Sequence, residues 1–257
     1  MTKIHPTAVV SEGAIIGKDV DIGPYSIVGP NLEIGDGTKV MPHVFLDGRT
    51  KIGKNCIVYP FASIGTQTQD LKYKGETTYT EIGDRTILRE YVTVTSGTKE
   101  GEITKVGSDC ALLAYCHVAH GCVVGNGVIM SNAATLAGEV IVEDQAVIGG
   151  FAAFHQFVRV GRLAMIGACS KVTQDCLPFM ITSGTPPEVH GPNAIGLQRR
   201  GLSEDVQKKL KLVFKLIFRS DLSTTQAVER IKSEVETCPE VEHVLAFIAS
   251  SQRGITK

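Results

Sequence analysis

Counted from Ile4, every sixth residue of the chain is apolar, and the rhythm keeps its phase as far as Val172. Of the 29 positions on this grid, 26 are apolar; Asp70, Glu76 and Glu100 are the exceptions. Glycine directly follows 12 of the apolar positions, as in Ile22-Gly23, Ile52-Gly53 and Val124-Gly125. A helix repeats every 3.6 residues and a strand every two, so neither gives a period of six. A short fixed period marks a solenoid, and hexapeptides of this kind mark a parallel β-helix. If three hexads close one triangular turn, residues eighteen apart stack on adjacent coils, about 4.8 Å from each other. The period therefore says which distant residues are neighbours.

The grid also accounts for the cysteines. Cys56, Cys110, Cys116 and Cys122 each fall two residues before a grid position, and Cys176 falls two before the next step of the count, Pro178. Elsewhere that place holds Ala8, Ala14, Ala62, Ala134, Ala146 and Ala152. It is a second inward position for small residues, where a reduced thiol packs as a hydrophobe. Cys110, Cys116 and Cys122 lie one hexad apart, so each faces a different side and no zinc cluster is expected. A net charge of −1 argues against electrostatic binding of nucleic acid. No apolar leader precedes the repeat and no run approaches membrane-spanning length. The expectation is a cytoplasmic protein without membrane insertion.

The solenoid is expected over residues 1–190, with excursions from the coil near 66–80 and 95–105, where the rhythm is interrupted by charged and Gly-rich sequence. Loops raised from a rigid scaffold often carry function. Beyond the Pro/Gly-rich stretch that ends at Pro192, residues 191–257 read as a three-helix domain. Ser203 caps a segment with Val206, Leu210, Val213 and Ile217 on one face. Ser223 and Gln226 form a capping box, and Pro239 opens a third helix. Such helices would cover the open strand edges at the end of the coil. The fold class is thus an all-β solenoid plus α. The half-apolar flat faces of a prism favour cyclic oligomers with sites between subunits.

Stacking by eighteen places His120, Gly138 and Gln156 on one line. A histidine beneath a glycine suggests acyl transfer: the imidazole takes a proton from an attacking hydroxyl, and the glycine N–H faces a developing oxyanion. Glycine also admits substrate close to the backbone. Zinc hydration on such a scaffold needs a converging histidine set. His117 and His120, three apart, are expected to point to opposite sides. No metal and no cofactor are expected. Between Pro192 and Arg219 seven basic residues face two acidic ones, an excess suited to a pyrophosphate or an acidic carrier protein.

Several segments together resemble the UDP-N-acetylglucosamine O-acyltransferases of lipid A biosynthesis. They are Gln69-Asp-Leu-Lys-Tyr73, His117-Val-Ala-His120-Gly-Cys-Val-Val-Gly125-Asn, Asn132-Ala-Ala-Thr-Leu-Ala-Gly138, Ile148-Gly-Gly-Phe-Ala-Ala-Phe-His155-Gln156-Phe and Gly196-Leu-Gln-Arg199-Arg200-Gly. The resemblance covers essentially the whole chain. It implies a left-handed parallel β-helix that forms a homotrimer. It implies transfer of an (R)-3-hydroxyacyl group from acyl carrier protein to the glucosamine 3-hydroxyl of UDP-GlcNAc. His120 matches the general base and Gly138 the oxyanion donor. Gln69 lies in the matching loop motif, where Asp70 and Lys72 match sugar-nucleotide contacts. His117, His155, Gln156, Asn193, Arg199 and Arg200 match further substrate-binding positions. Ala168 matches the position that limits acyl length.

The chain departs from the family pattern at four places. Gly121 stands where an acidic residue is usual beside the base, and Glu139 where a histidine is common. Thr95-Ser96 replaces a segment that often carries arginine, and Ile195 replaces an acidic residue. Glu139 stacks on Gly121, eighteen residues on, and is expected to raise the basicity of His120 or hold its ring. Two other readings stay open: a paralogue that only binds sugar nucleotide, and an acyltransferase for a 3-amino analogue of UDP-GlcNAc.

Overall fold

The computed structural model describes all 257 residues. The chain winds as a left-handed parallel β-helix closed by helices at its C-terminal end. Short strands, mostly two residues long, run from Lys3–Ile4 to Lys171–Val172. Consecutive strands pass to different sheets, and every third strand returns to the same one, giving three parallel walls. Lys3 pairs with Asp21 and His117 with Thr135, so one coil is eighteen residues.

The two interruptions obey the same bookkeeping. Across the first, Arg49 pairs with Tyr79 and Ser63 with Thr93, thirty residues on instead of eighteen, so that loop adds twelve residues. Across the second, Tyr79 pairs with Ile103 and Thr93 with His117, twenty-four residues on, so that loop adds six. Both insertions are whole hexads. This is why the apolar grid keeps its phase through them.

Each hexad contains a main inward apolar side chain on the grid, a second and often smaller one two residues before it, and one corner. Grid residues such as Ile22, Leu46, Leu88, Leu112 and Leu136 are buried. Each such burial contributes about 1.5–3 kcal/mol. Ile4 is still 47% exposed because no coil lies beneath the first one. At the corners, Asp19, Tyr25, His43, Asn55, Phe61 and their equivalents six residues apart take a positive φ. That conformation costs an L-residue roughly 1–2 kcal/mol, and inward burial offsets it. Five corner rings, Tyr25, His43, Phe61, Tyr91 and Tyr115, stack coil on coil with centroids 4.8–5.2 Å apart.

All five cysteines placed on the inward grid are buried. Burial pushes the Cys116 thiol up to about 11 and the Cys122 and Cys176 thiols to about 12. They are core atoms in the thiol form, neither nucleophiles nor metal ligands.

After the last coil an antiparallel hairpin, Met180–Gly184 with Pro187–Pro192, extends one wall. Four helices follow: α1 (Ala194–Arg199), α2 (Glu204–Phe218), α3 (Thr224–Glu234) and α4 (Pro239–Ala249). The three expected from sequence are α2, α3 and α4; α1 is a further short one. Ser203 caps α2, the Ser223–Gln226 capping box starts α3, and Pro239 opens α4. Leu163, Leu177, Phe179 and Met180 at the end of the coil share a second core with Leu210, Val213, Ile231 and Phe247 of the helices. Polar contacts fasten the same junction. His243 lies 2.7 Å from a Glu143 oxygen, and the Arg159 guanidinium sits 4.2 Å from the Phe247 ring centroid. No helix is long and apolar enough to cross a membrane.

Leu112 is fully buried in the middle of the prism. Leu112→Ala is expected to lower unfolding free energy by about 2–5 kcal/mol. Val9→Ala, on the exposed outer face of the first coil, is expected to change it by under about 0.5 kcal/mol. Equilibrium denaturation of the two variants checks both.

Candidate active site

A cleft of about 670 Å³ opens where the first loop arches over one corner of the prism. Gln69, Asp70 and Lys72 of that loop form one wall. His117, His120, Gly138 and Gln156 of the coils form the other. A second pocket continues from it past Glu76, Lys99, Glu100 and Glu139, sharing Asp70, Lys72, His120 and Gln156. The three charged residues that break the apolar rhythm, Asp70, Glu76 and Glu100, therefore all face this one region.

Coil stacking builds the centre of the site. The Glu139 N–H donates to the His120 carbonyl and the Phe157 N–H to the Gly138 carbonyl, which sets residues 120, 138 and 156 one above another. The His120 ring lies directly against Gly138: a Cβ there would collide with its Cε1 and Nε2. The Gly138 N–H has no acceptor within the chain. At the same hexad position, the N–H groups of Lys18, Lys54 and Asn126 are taken by the carboxylates of Asp36, Asp84 and Asp144. Gly138 thus presents a free donor beside an imidazole, an arrangement suited to an oxyanion.

The two loops brace each other over this centre. Thr68 and Thr98 share a buried hydroxyl–hydroxyl hydrogen bond of 3.1 Å, and the Thr77 N–H donates to Glu100 at 2.8 Å. Asp70 uses Oδ1 to accept the Lys72 N–H, which leaves Oδ2 3.7 Å from His120 Nε2. On the other side of the ring, Glu102 Oε2 stands 4.0 Å from His120 Nδ1. Lys99 holds Glu139 Oε1 at 2.6 Å and lies 3.7 Å from Glu102.

His117 borders the same cleft as His120, contrary to the expectation that they face opposite sides. Strand alternation fails here because the chain turns a corner between them: His117 ends up on a wall and His120 at the bend. Thr93, one coil below, holds His117 Nδ1 at 2.7 Å. Burial, and then the charge of His120, keep the His117 imidazole below the ordinary histidine range.

A family profile described as Udp N-acetylglucosamine O-acyltransferase, Domain 2, matches residues 175–256. The acyl-[acyl-carrier-protein]–UDP-N-acetylglucosamine O-acyltransferase of Thermodesulfovibrio yellowstonii is 46% identical over 258 residues, with 100% of both chains covered. Its length and identity leave no part of this chain without a counterpart. This chain belongs to the UDP-N-acetylglucosamine O-acyltransferase family. Solved structures agree in fold. The UDP-N-acetylglucosamine acyltransferase of Bacteroides fragilis 9343 matches with a TM-score of 0.96 at 38% identity, over 99% of this chain and 100% of that one. The O-acyltransferase of Moraxella catarrhalis RH4 matches at 0.94 and 38%, over 99% of each.

Within this acyltransferase chain, not every residue singled out from sequence meets at the cleft. His155 is exposed, and its Nδ1 lies 3.1 Å from the Gln156 carbonyl. Asn193 caps α1 and donates to the Leu163 carbonyl. Arg199 and Arg200 are exposed at the end of α1, and Ala168 is exposed at a different corner of the prism. Three residues at the centre escaped the sequence reading: Thr93, Lys99 and Glu102. Glu102 was within reach of the stacking rule, since 120 minus 18 is 102, and the structure puts residues 102 and 120 one coil apart.

Gly138→Ala is expected to displace the His120 ring and lower kcat at least about 100-fold, with little change in melting temperature; acyl-transfer rates and a thermal melt check both. Histidine NMR titration is expected to place His117 below its ordinary value of about 6.5. The sign follows. Below 6.5 the unfolded chain binds a proton that the folded chain refuses, so this contribution to stability is present above 6.5 and is lost as pH falls through the folded value.

Proposed function

We propose that this protein transfers an (R)-3-hydroxyacyl group from acyl carrier protein to the glucosamine 3-hydroxyl of UDP-GlcNAc, the first step of lipid A biosynthesis. The observation that carries the reading is the half-buried His120 imidazole lying against Gly138, whose N–H has no acceptor, inside a cleft with both polar loop residues and coil residues on its walls. Family membership supports the same substrate pair, which is named for the Thermodesulfovibrio yellowstonii relative.

The geometry supports the following steps. His120 Nε2 faces the cleft and Nδ1 is buried. Nε2 accepts the proton of the sugar hydroxyl as its oxygen attacks the thioester carbonyl. The carbonyl oxygen gains negative charge and takes the Gly138 N–H. When the carbon–sulfur bond breaks, the proton on Nε2 passes to the departing thiolate. A general base contributes roughly 10²–10⁴-fold and one oxyanion donor about 10²–10³-fold.

Gln69, Asp70, Lys72, His117, Glu139 and Gln156 are assigned to the sugar nucleotide side of the cleft. His155, Asn193, Arg199 and Arg200 line neither pocket of the single chain. In a homotrimer a neighbouring subunit would bring them to the cleft edge, and the outward apolar residues Val123, Ile129 and Ile141 would have partners. Acyl carrier protein would approach the basic helical end, and the reaction would take place in the cytoplasm. Ala168 is assigned to the end of the acyl groove.

Incubation with UDP-GlcNAc and 3-hydroxyacyl carrier proteins of graded chain length tests this directly. The wild-type protein is expected to acylate the sugar 3-hydroxyl, and His120→Ala to lose at least about 100-fold in rate. Ala168→Gly is expected to move the preferred acyl chain toward greater length. Absence of transfer with every chain length would overturn the reading.

A further inference from the structure

We propose that Glu102 is a positioning residue for His120: its carboxylate accepts a hydrogen bond from Nδ1–H, holds the ring in the tautomer that leaves Nε2 free, and stabilises the imidazolium formed during transfer. The inference rests on His120 acting as the base and deepens that reading.

Four observations converge. His120 Nδ1 is buried and has no hydrogen-bond partner. Glu102 Oε2 is the carboxylate oxygen on that side of the ring, 4.0 Å away, and both side chains are only 13% exposed. The same oxygen accepts the Thr98 N–H at 2.5 Å, and Lys99 lies 3.7 Å from the other, so the carboxylate is held where it stands. Finally, Gly121 makes the approach possible. This corner residue has φ +65°, and its N–H is fastened to the Thr104 hydroxyl at 3.0 Å. A Cβ on it would lie 3.2 Å from the Glu102 carboxyl carbon. The missing side chain at 121 leaves room for the Glu102 carboxylate and, at the same distance, for that of Glu139.

The other charged groups around the ring do not serve Nδ1. Asp70 faces the opposite nitrogen, Nε2, at 3.7 Å. Glu139 stacks over Gly121 as the repeat predicts, yet its carboxylate is engaged by Lys99 at 2.6 Å and comes within 4.0 Å of neither imidazole nitrogen. Lys72, Glu76, Glu100 and His117 border the connected pockets without an ion pair to His120. Of the two carboxylates beside Gly121, Glu102 is the one aimed at the base. In apo structures such contacts are often long and tighten in the substrate complex. No atom is transferred to Glu102: the Nδ1 proton stays on the ring while Nε2 gains and then loses one.

Glu102→Gln tests this with an isosteric, uncharged side chain. The expected result is a kcat reduced about 10- to 100-fold, with KM for UDP-GlcNAc changed less than about twofold. The acid limb of the kcat profile should move to lower pH, because removing a neighbouring negative charge lowers the imidazole pKa. NMR titration of His120 reads the same contact without turnover and should show its pKa falling in the variant. A purely structural glutamate would move neither the limb nor the titration. Wild-type kcat, an unmoved acid limb and an unmoved His120 titration, in a preparation whose wild type transfers acyl groups, would overturn the role of Glu102 alone. A wild type without acyl transfer would overturn the underlying function as well.

Discussion

The hydrogen-bonded stacking of coil upon coil is the constraint on which everything else depends. A strand of two residues offers almost no local stability, so each coil persists only because its neighbours above and below pair with it and share its inward apolar residues. That pairing admits insertions only if the following coils return to the same three walls. The loops meet the requirement by adding twelve and six residues, whole multiples of the hexad. A coil that failed to return to its wall would turn its inward apolar side chains toward solvent. It would also carry Asp70 and Glu102 away from the corner where His120 waits.

The same stacking concentrates charge. Asp70 and Glu102 flank one imidazole, and Lys99 ties Glu102 to Glu139 beside it. Each carboxylate comes from a different coil or loop, and none is adjacent to His120 in sequence. Their convergence is fixed by backbone pairing and by the brace between the loops through Thr68, Thr98, Thr77 and Glu100. In the proposed role of base, an imidazole held by such a scaffold needs little rearrangement when charge develops on the ring, which is the condition for effective electrostatic stabilisation.

Much of this was legible from the residues because a solenoid is nearly one-dimensional. The six-residue period located the inward cysteines, the walls and the line through His120, Gly138 and Gln156. It fell short where the path of the chain is set by corners and not by strand alternation. His117 and His120 share a cleft because a bend intervenes, and the left-handed corners themselves have no compositional signature: Asp19, Tyr25, Phe61 and Glu139 all adopt them. Glu102 was hidden by its setting in a Gly-rich polar stretch, although the coil has already resumed at Ile103. Residues at the helical end, such as Arg199 and Arg200, remain remote from the cleft in one chain; stacking arithmetic says nothing about neighbours across an assembly.

A crystal structure of the protein with UDP-GlcNAc tests the central claim most directly, because that claim is a position. The sugar should occupy the cleft between the first loop and the His120–Gly138 corner, with its 3-hydroxyl about 2.6–3.2 Å from His120 Nε2. A sugar seated on another face of the prism, or one whose 3-hydroxyl points away from that nitrogen, would contradict the account.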